Sequence, residues 1–268
     1  MPNPTPYPEL NGVLAELVRE LQDALGDELI GVYLQGSFAV GDFDQDSDCD
    51  FIAITKSELT DRQIDALQAT HTRIFDLGPE WAKHLEGSYF PRDLAASLDR
   101  RGEPVWYLDH GAQTLTRDSH CNTAVVRQVL HLMAIPLVGP PANTLVGPVP
   151  IDLMRAETFK AFADWADEIE ANPQAWANRF YQGFIVLNYC RVWHDLVTGR
   201  AGTEWAKTQL DPQHHALIDR AWATRSDPYT SSRTPADPDD YAASLRLMRH
   251  ITETCRAFLS NTQPTNPH

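Results

Sequence analysis

No run of about eighteen apolar residues occurs in the 268-residue sequence, so nothing in it is expected to span a membrane. Its opening, Met1-Pro2-Asn3-Pro4-Thr5-Pro6, lacks the basic and apolar regions of a secretory leader, and a cytoplasmic protein is expected. Cysteine is sparse. Cys49, Cys121, Cys190 and Cys255 stand far apart with no C-x-x-C pair, which argues against a disulfide scaffold or a zinc ribbon and for buried, inert thiols. Positive charge is also short: 22 Lys and Arg stand against 37 Asp and Glu, for a net charge of −15. Such a chain repels a phosphate backbone and attracts a cationic small molecule, so a nucleic-acid partner is not expected. Walker A, G-x-S-x-G and H-E-x-x-H sequences are all missing, which removes P-loop, serine-hydrolase and zincin chemistry.

What is present is organised around residues 36 to 52. An apolar run, Leu29 to Leu34, stops at Gly36-Ser37, and a second, Phe51-Ile52-Ala53-Ile54, follows Ser47-Asp48-Cys49-Asp50. Two strands with a small-residue turn between them are the simplest reading. Side chains alternate along a strand, so Asp48 and Asp50 point the same way, roughly 6 to 7 Å apart at Cα. Two carboxylates so placed converge on a hard divalent cation and leave positions for water and phosphate, as Mg²⁺ requires. Gly36 permits close backbone approach, and Ser37 offers a hydroxyl and an N–H to a phosphate. The competing reading is an acidic turn that keeps a hairpin soluble.

Gly-Ser, about ten residues, then Ser-Asp-x-Asp resembles the signature of the polymerase-β-like nucleotidyltransferases. The surrounding chain is similar to the aminoglycoside adenylyltransferases within that superfamily. The resemblance implies transfer of AMP from ATP, the co-substrate, to a hydroxyl of a small, cationic acceptor of the streptomycin or spectinomycin type, with two Mg²⁺ ions on Asp48 and Asp50; a monomer is expected. It also implies a nucleotide contact at Ser47 of the signature. A hydroxyl that attacks a phosphorus must lose its proton, and Glu86, in His84-Leu85-Glu86-Gly87-Ser88, is the acid placed to take it from a neighbouring strand. Asp76 and Glu80 are its rivals. In the family a glutamate in a similar Leu-Glu context is the base.

Val186 to Arg200, continuing through Glu204-Trp205-Ala206, resembles the family's nucleotide-facing helix. On that alignment Arg191 falls where an arginine grips ATP phosphates, a task suited to a guanidinium fork. Lys207 is the lysine nearest to the family's phosphate-binding lysine. Trp176 lies in Trp176 to Gln182, where the family binds its acceptor, but this segment carries no carboxylate. An ammonium group would then need Glu86, Asp109 or Asp195. Trp106 is a candidate stacking wall for a ring substrate. Two other readings stay open: nucleotidyl transfer to a protein or other non-antibiotic acceptor, and a catalytically silent nucleotide-binding module.

The periodicity predicts a helix over about 8–25 ended by Gly26, and a helix opened by a Thr60–Gln63 capping box and ended at Gly78-Pro79, with His71 packed on its apolar stripe. A third strand is expected within 81–90, a short helix near 93–98, an extended Val105 to Leu108, and a helix over about 121–132. On that last helix Arg127 and His131 are either a phosphate contact or a surface pair. The run Leu137 to Pro150, rich in Pro and Gly, marks the boundary between domains 1–150 and 151–268. Beyond it only helical spacing is found, over about 151–170, 174–198, 203–210, 212–225 and 238–259, with a stop at Asp227-Pro228 and a frayed tail over 261–268. The expected fold is therefore an α/β nucleotidyltransferase domain, a small mixed sheet flanked by helices, followed by an all-α helical-bundle domain.

Overall fold

The computed structural model describes residues 3–200, 203–225 and 231–262. The chain divides into two compact units, Met1–Pro150 and Ile151–His268. In the first unit, helix α1 (Pro8–Leu25) buries Leu10, Leu14, Leu17, Leu21 and Leu25 along one face and stops where Gly26 turns to positive φ. Strand β1 (Leu29–Leu34), helix α2 (Gly36–Val40) and strand β2 (Cys49–Thr55) follow. Helix α3 (Asp61–Phe75) opens on the Thr60–Gln63 capping box and carries the chain to β3 (Leu85–Pro91). Helix α4 (Arg92–Ala96), β4 (Val105–Leu108), β5 (Leu115–Asp118), helix α5 (Ala124–Leu132) and β6 (Ile135–Val138) complete it.

The strands form one mixed sheet in the order β5-β4-β3-β2-β1-β6. Only β2 and β3 run parallel among its neighbouring strands, which demands a crossover, and α3 supplies it. Alternation then sorts the side chains. Cys49, Phe51, Ala53, Leu85 and Tyr89 face the leucines of α1 and Leu67 and Ile74 of α3. Ile52, Ile54 and Phe90 face the other way, under Leu94 and Ala95 of α4 and Leu130 of α5. Asp50 and Glu86 lie on this second face, toward the beginnings of their strands and outside that apolar cluster.

Four expectations are corrected. The segment after β1, expected as a small-residue turn, is a one-turn helix and a loop, because Gly36 at φ +60° bends the chain into α2. Helix α3 ends at Phe75, before Gly78. Leu137 and Val138 are strand β6, hydrogen-bonded to β1, and so part of the sheet. Gly139, at φ +104°, lies so close to Gly31 and the Ile30 carbonyl that a Cβ would not fit. Finally, Arg127 is 1 % exposed and is neither a phosphate contact nor a surface residue. Its guanidinium donates to Asn122 Oδ1 at 2.9 Å and to the carbonyls of Ala95 at 3.0 Å and Leu94 at 2.9 Å, tying α5 to the end of α4.

The second unit is built of helices, with loops between them, among its described residues: α6 (Ile151–Ala171), α7 (Arg179–Thr198), α8 (Thr203–Gln209), α9 (His215–Ala223) and α10 (Pro238–Thr262). Helix α7 is central and packs on the other four. The Asn178 side chain caps its start at Tyr181 N, and Gly199 in the left-handed region ends it. The expected stop at Asp227-Pro228 and all but the first two residues of the expected tail lie outside the described residues. Among the described residues no helix is long and apolar enough to cross a membrane.

His71 is packed, as its position on the apolar stripe predicts: it is 2 % exposed, and its Nε2 lies 2.5 Å from the Tyr89 hydroxyl. Burial lowers its pKa to about 4. An unfolded chain takes up the same proton near the ordinary imidazole value of about 6.5. Stability is therefore complete above that value and falls, by up to about 3 kcal/mol, as pH drops toward 4. The melting temperature of the wild type should decline over this window more steeply than that of His71→Leu, and parallel profiles would contradict the assignment. Arg127→Met takes the guanidinium donor from three buried acceptors, of which the Leu94 carbonyl keeps Ser97 N, and should cost about 3 kcal/mol in urea unfolding; an unchanged midpoint would show that the guanidinium holds nothing together.

Candidate active site

Parallel pairing sets Asp50 directly beside Glu86, as Cα partners in register. Both side chains leave the same face of the sheet. Asp48 lies just before β2, in a chain fixed by Cys49 N donating to the His84 carbonyl at 2.7 Å. The loop leading to it is held by Ser47, which is 1 % exposed. The Ser47 hydroxyl accepts from Asp44 N at 2.9 Å and donates to Asp44 Oδ1 at 3.0 Å. Ser47 thus shapes the turn that presents Asp48. The Asp50 carboxylate occupies the space where a Cβ on Gly36 would lie, so the left-handed φ and the missing side chain are both needed there. Ser37 follows in α2, and its carbonyl accepts from Gly41 N and Asp42 N.

Basic and phenolic groups surround these acids. His110 Nδ1 lies 2.7 Å from Asp48 Oδ1 as an ion pair. Burial opposes charge on that imidazole, but the hydrogen bond to Asp48 and the fields of Asp48, Glu86 and Asp109 outweigh it and raise its pKa. His84 meets the His110 ring edge-on, with centroids 5.1 Å apart. The Tyr107 hydroxyl donates to Asp109 Oδ1 at 2.8 Å. Burial and the nearby Glu86 push the phenol pKa far up, so it remains a donor. His120 Nε2 lies 3.6 Å from Glu86 Oε1, and contact with the Cys121 sulfur and with Glu86 raises the imidazole pKa. The result is a half-open acidic cluster, with Asp48 42 % and Glu86 17 % exposed at the side chain, in which carboxylates can meet a cation or accept a proton.

The other expected residues sort differently. Trp106 does not share the face of Glu86: it pairs in register with Tyr89, packs against the α1–α3 side, and lies under the Arg117 guanidinium at 5.7 Å. Its neighbour Tyr107 is the aromatic residue that alternation turns toward Glu86. The rivals Asp76 and Glu80 cap α3 and pair with Lys83, respectively. Asp195 is 6 % exposed, and burial pushes its pKa up to about 6, so it is no surface anchor for an ammonium group.

In the helical unit, Arg191 of α7 stacks on Trp222 at 5.6 Å. The Lys207 ammonium is fastened to Glu204 at 2.8 Å and to Asp219, which neutralises it and raises its pKa. Trp176 is half-buried in an aromatic cluster, edge-on to Trp165 at 5.9 Å and to Tyr181 at 4.5 Å. His110, Tyr107, His120 and Cys121 were not legible as site residues. Tyr107 and His110 flank the end of a short strand, and the other two follow β5, whose exposed Thr116-Arg117-Asp118 gives little strand signal.

Residues 144–249 match the family model described as "Aminoglycoside adenylyltransferase, C-terminal domain". A search of curated protein sequences gives no match. Among solved structures, the chain resembles spectinomycin adenyltransferase AAD(9) from Enterococcus faecialis, determined with ATP and spectinomycin. The TM-score is 0.66 at 14 % identity, over 90 % of this chain and 98 % of that one, which is a likeness of fold. Residues 144–249 thus carry the match to that C-terminal domain, behind a mixed-sheet unit, and the chain as a whole shares the fold of that adenyltransferase.

Proposed function

We propose that the protein transfers AMP from ATP to a hydroxyl of an aminoglycoside or aminocyclitol of the streptomycin and spectinomycin type. The observation that carries this reading is the registered pair Asp50–Glu86 with Asp48 beside it, at the end of a sheet face and outside the apolar cluster that covers the rest of it. The donor set fits Mg²⁺: Asp48 and Asp50 offer hard carboxylate oxygens two residues apart, and Gly36 leaves the Asp50 carboxylate room. When bound there, Mg²⁺ supplies charge neutralisation on the phosphates and a lowered pKa for the acceptor hydroxyl.

Glu86 accepts the proton of that hydroxyl as its oxygen bonds to the α-phosphorus. The bond from that phosphorus to the bridging oxygen breaks, and pyrophosphate leaves. Tyr107, kept protonated, donates to Asp109 and stands beside Glu86, so the base is held among fixed dipoles rather than in bulk water. Arg191 is assigned to the ATP phosphates on its place in α7. Lys207 would serve there only after leaving Glu204 and Asp219. The surplus of acidic groups favours a cationic acceptor.

The protein incubated with Mg-ATP and a panel containing spectinomycin and streptomycin should yield one acceptor whose mass rises by one AMP, with release of pyrophosphate. No mass gain on any member would count against the antibiotic assignment. Glu86→Gln should lower kcat by about 10² to 10⁴ while ATP still binds. Asp48→Asn and Asp50→Asn should each lower kcat more than Glu86→Gln does, in a protein that keeps its fold. Gly36→Ala, strained at φ +60° and pressed against Asp50, should lower both activity and stability, the latter by about 1–2 kcal/mol. Wild-type turnover in any of these variants would detach that residue from the site.

A further inference from the structure

We propose that Glu86, His120 and Cys121 form a binding site for a soft divalent cation, Zn²⁺. The three donors come from two places in the chain, β3 and the loop between β5 and α5. Cys121 Sγ lies 3.2 Å from His120 Nε2 and 4.0 Å from Glu86 Oε1, and Nε2 lies 3.6 Å from the same oxygen. A tetrahedral zinc with ordinary bond lengths to S, N and O has ligand–ligand edges of about 3.4–3.6 Å. The observed triangle matches one face of that tetrahedron to within about 0.4 Å.

The surroundings are those of a metal site as well. Asp118 Oδ1 lies 2.6 Å from His120 Nδ1 and accepts from His120 N at 2.8 Å. That carboxylate holds the proton on Nδ1 and aims Nε2 at Cys121 and Glu86, the arrangement that orients zinc-bound histidines. Ser88, 1 % exposed and two residues along β3 from Glu86, has an Oγ without a closed hydrogen bond among the described residues, adjacent to the Cys121 thiol. Its hydroxyl is placed to donate to a thiolate. The loop itself is anchored by the fully buried Asn122, which donates to the Arg100 and Glu103 carbonyls and accepts from Arg127.

A nitrogen, sulfur and oxygen set selects zinc over magnesium, whereas the Asp48–Asp50 pair offers oxygen alone. On binding, the Cys121 thiol and the His120 Nε2, protonated beside Glu86 in the metal-free site, each give up a proton to solvent, and the sulfur and the nitrogen bond the metal. Glu86 is then no longer able to accept a proton from a substrate, so zinc inhibits transfer; this consequence, unlike the site itself, rests on the function proposed above.

The test is equilibrium dialysis of metal-free, full-length protein against Zn²⁺ alone, with Co²⁺ as a spectroscopic substitute. The wild type should take up one Zn²⁺ per chain, and its Co²⁺ form should show a thiolate charge-transfer band. Cys121→Ala should abolish that band. Cys121→Ala and His120→Ala should each weaken zinc binding by at least the roughly 10–100-fold that loss of an outer-shell partner costs. His120 is half exposed, so its replacement spares the fold. Asp48→Asn should bind zinc as the wild type does. Uptake unchanged in both site variants, or a cobalt complex without the thiolate band, would overturn the proposal. Zinc bound as described but without effect on turnover would instead remove Glu86 from its role as base and leave the metal site standing.

Discussion

The parallel pairing of β2 with β3 is the constraint on which the rest of the first unit depends. It requires a crossover, which α3 makes, and it aligns Asp50 with Glu86 without any contact between their side chains being needed. A shift of one residue would send Glu86 to the α1–α3 core and bring Leu85 or Gly87 beside Asp50. Gly87 itself holds the register, because any side chain there would overlap the Phe51 ring. The apolar faces of α1 and α3 on one side and of α4 and α5 on the other thus fix, at a distance, where two carboxylates meet.

Around that pair the chain places groups of opposite character within a few ångströms. His110 pairs with Asp48, His120 approaches Glu86, and Tyr107 keeps its proton beside both Glu86 and Asp109. In a protein with a net charge of −15, these imidazoles are the local counter-charges that let several acids converge. The same convergence creates two donor sets, a hard oxygen pair at Asp48–Asp50 and a mixed O, N, S triangle at Glu86–His120–Cys121, and Glu86 is where the proposed base and the proposed zinc ligand coincide.

Much of the fold was legible because periodicity and punctuation agree. The leucine stripe and Gly26 define α1, and the Thr60–Gln63 capping box starts α3 as expected. The acids were legible because each opens a strand of evident apolar character. What failed did so for nonlocal reasons. Whether Trp106 or Tyr107 faces Glu86 depends on which face of a four-residue strand is inward, and neither neighbour is polar enough to decide it. Arg127 has the charge of a surface residue and the burial of a core one, since its acceptors, Leu94 and Ala95 carbonyls, lie about thirty residues away in sequence. The role of Cys121 was hidden because a thiol's partners cannot be read from spacing when one of them comes from β3.

The central claim is that Asp50 and Glu86 act as one unit on the same transferred group. A double-mutant cycle on kcat for AMP transfer, using Asp50→Asn, Glu86→Gln and the pair, tests it most directly. The account predicts strong non-additivity, the double variant being scarcely slower than the more damaged single one. Effects that simply multiply would contradict it, because they would mean that the two carboxylates serve the reaction independently.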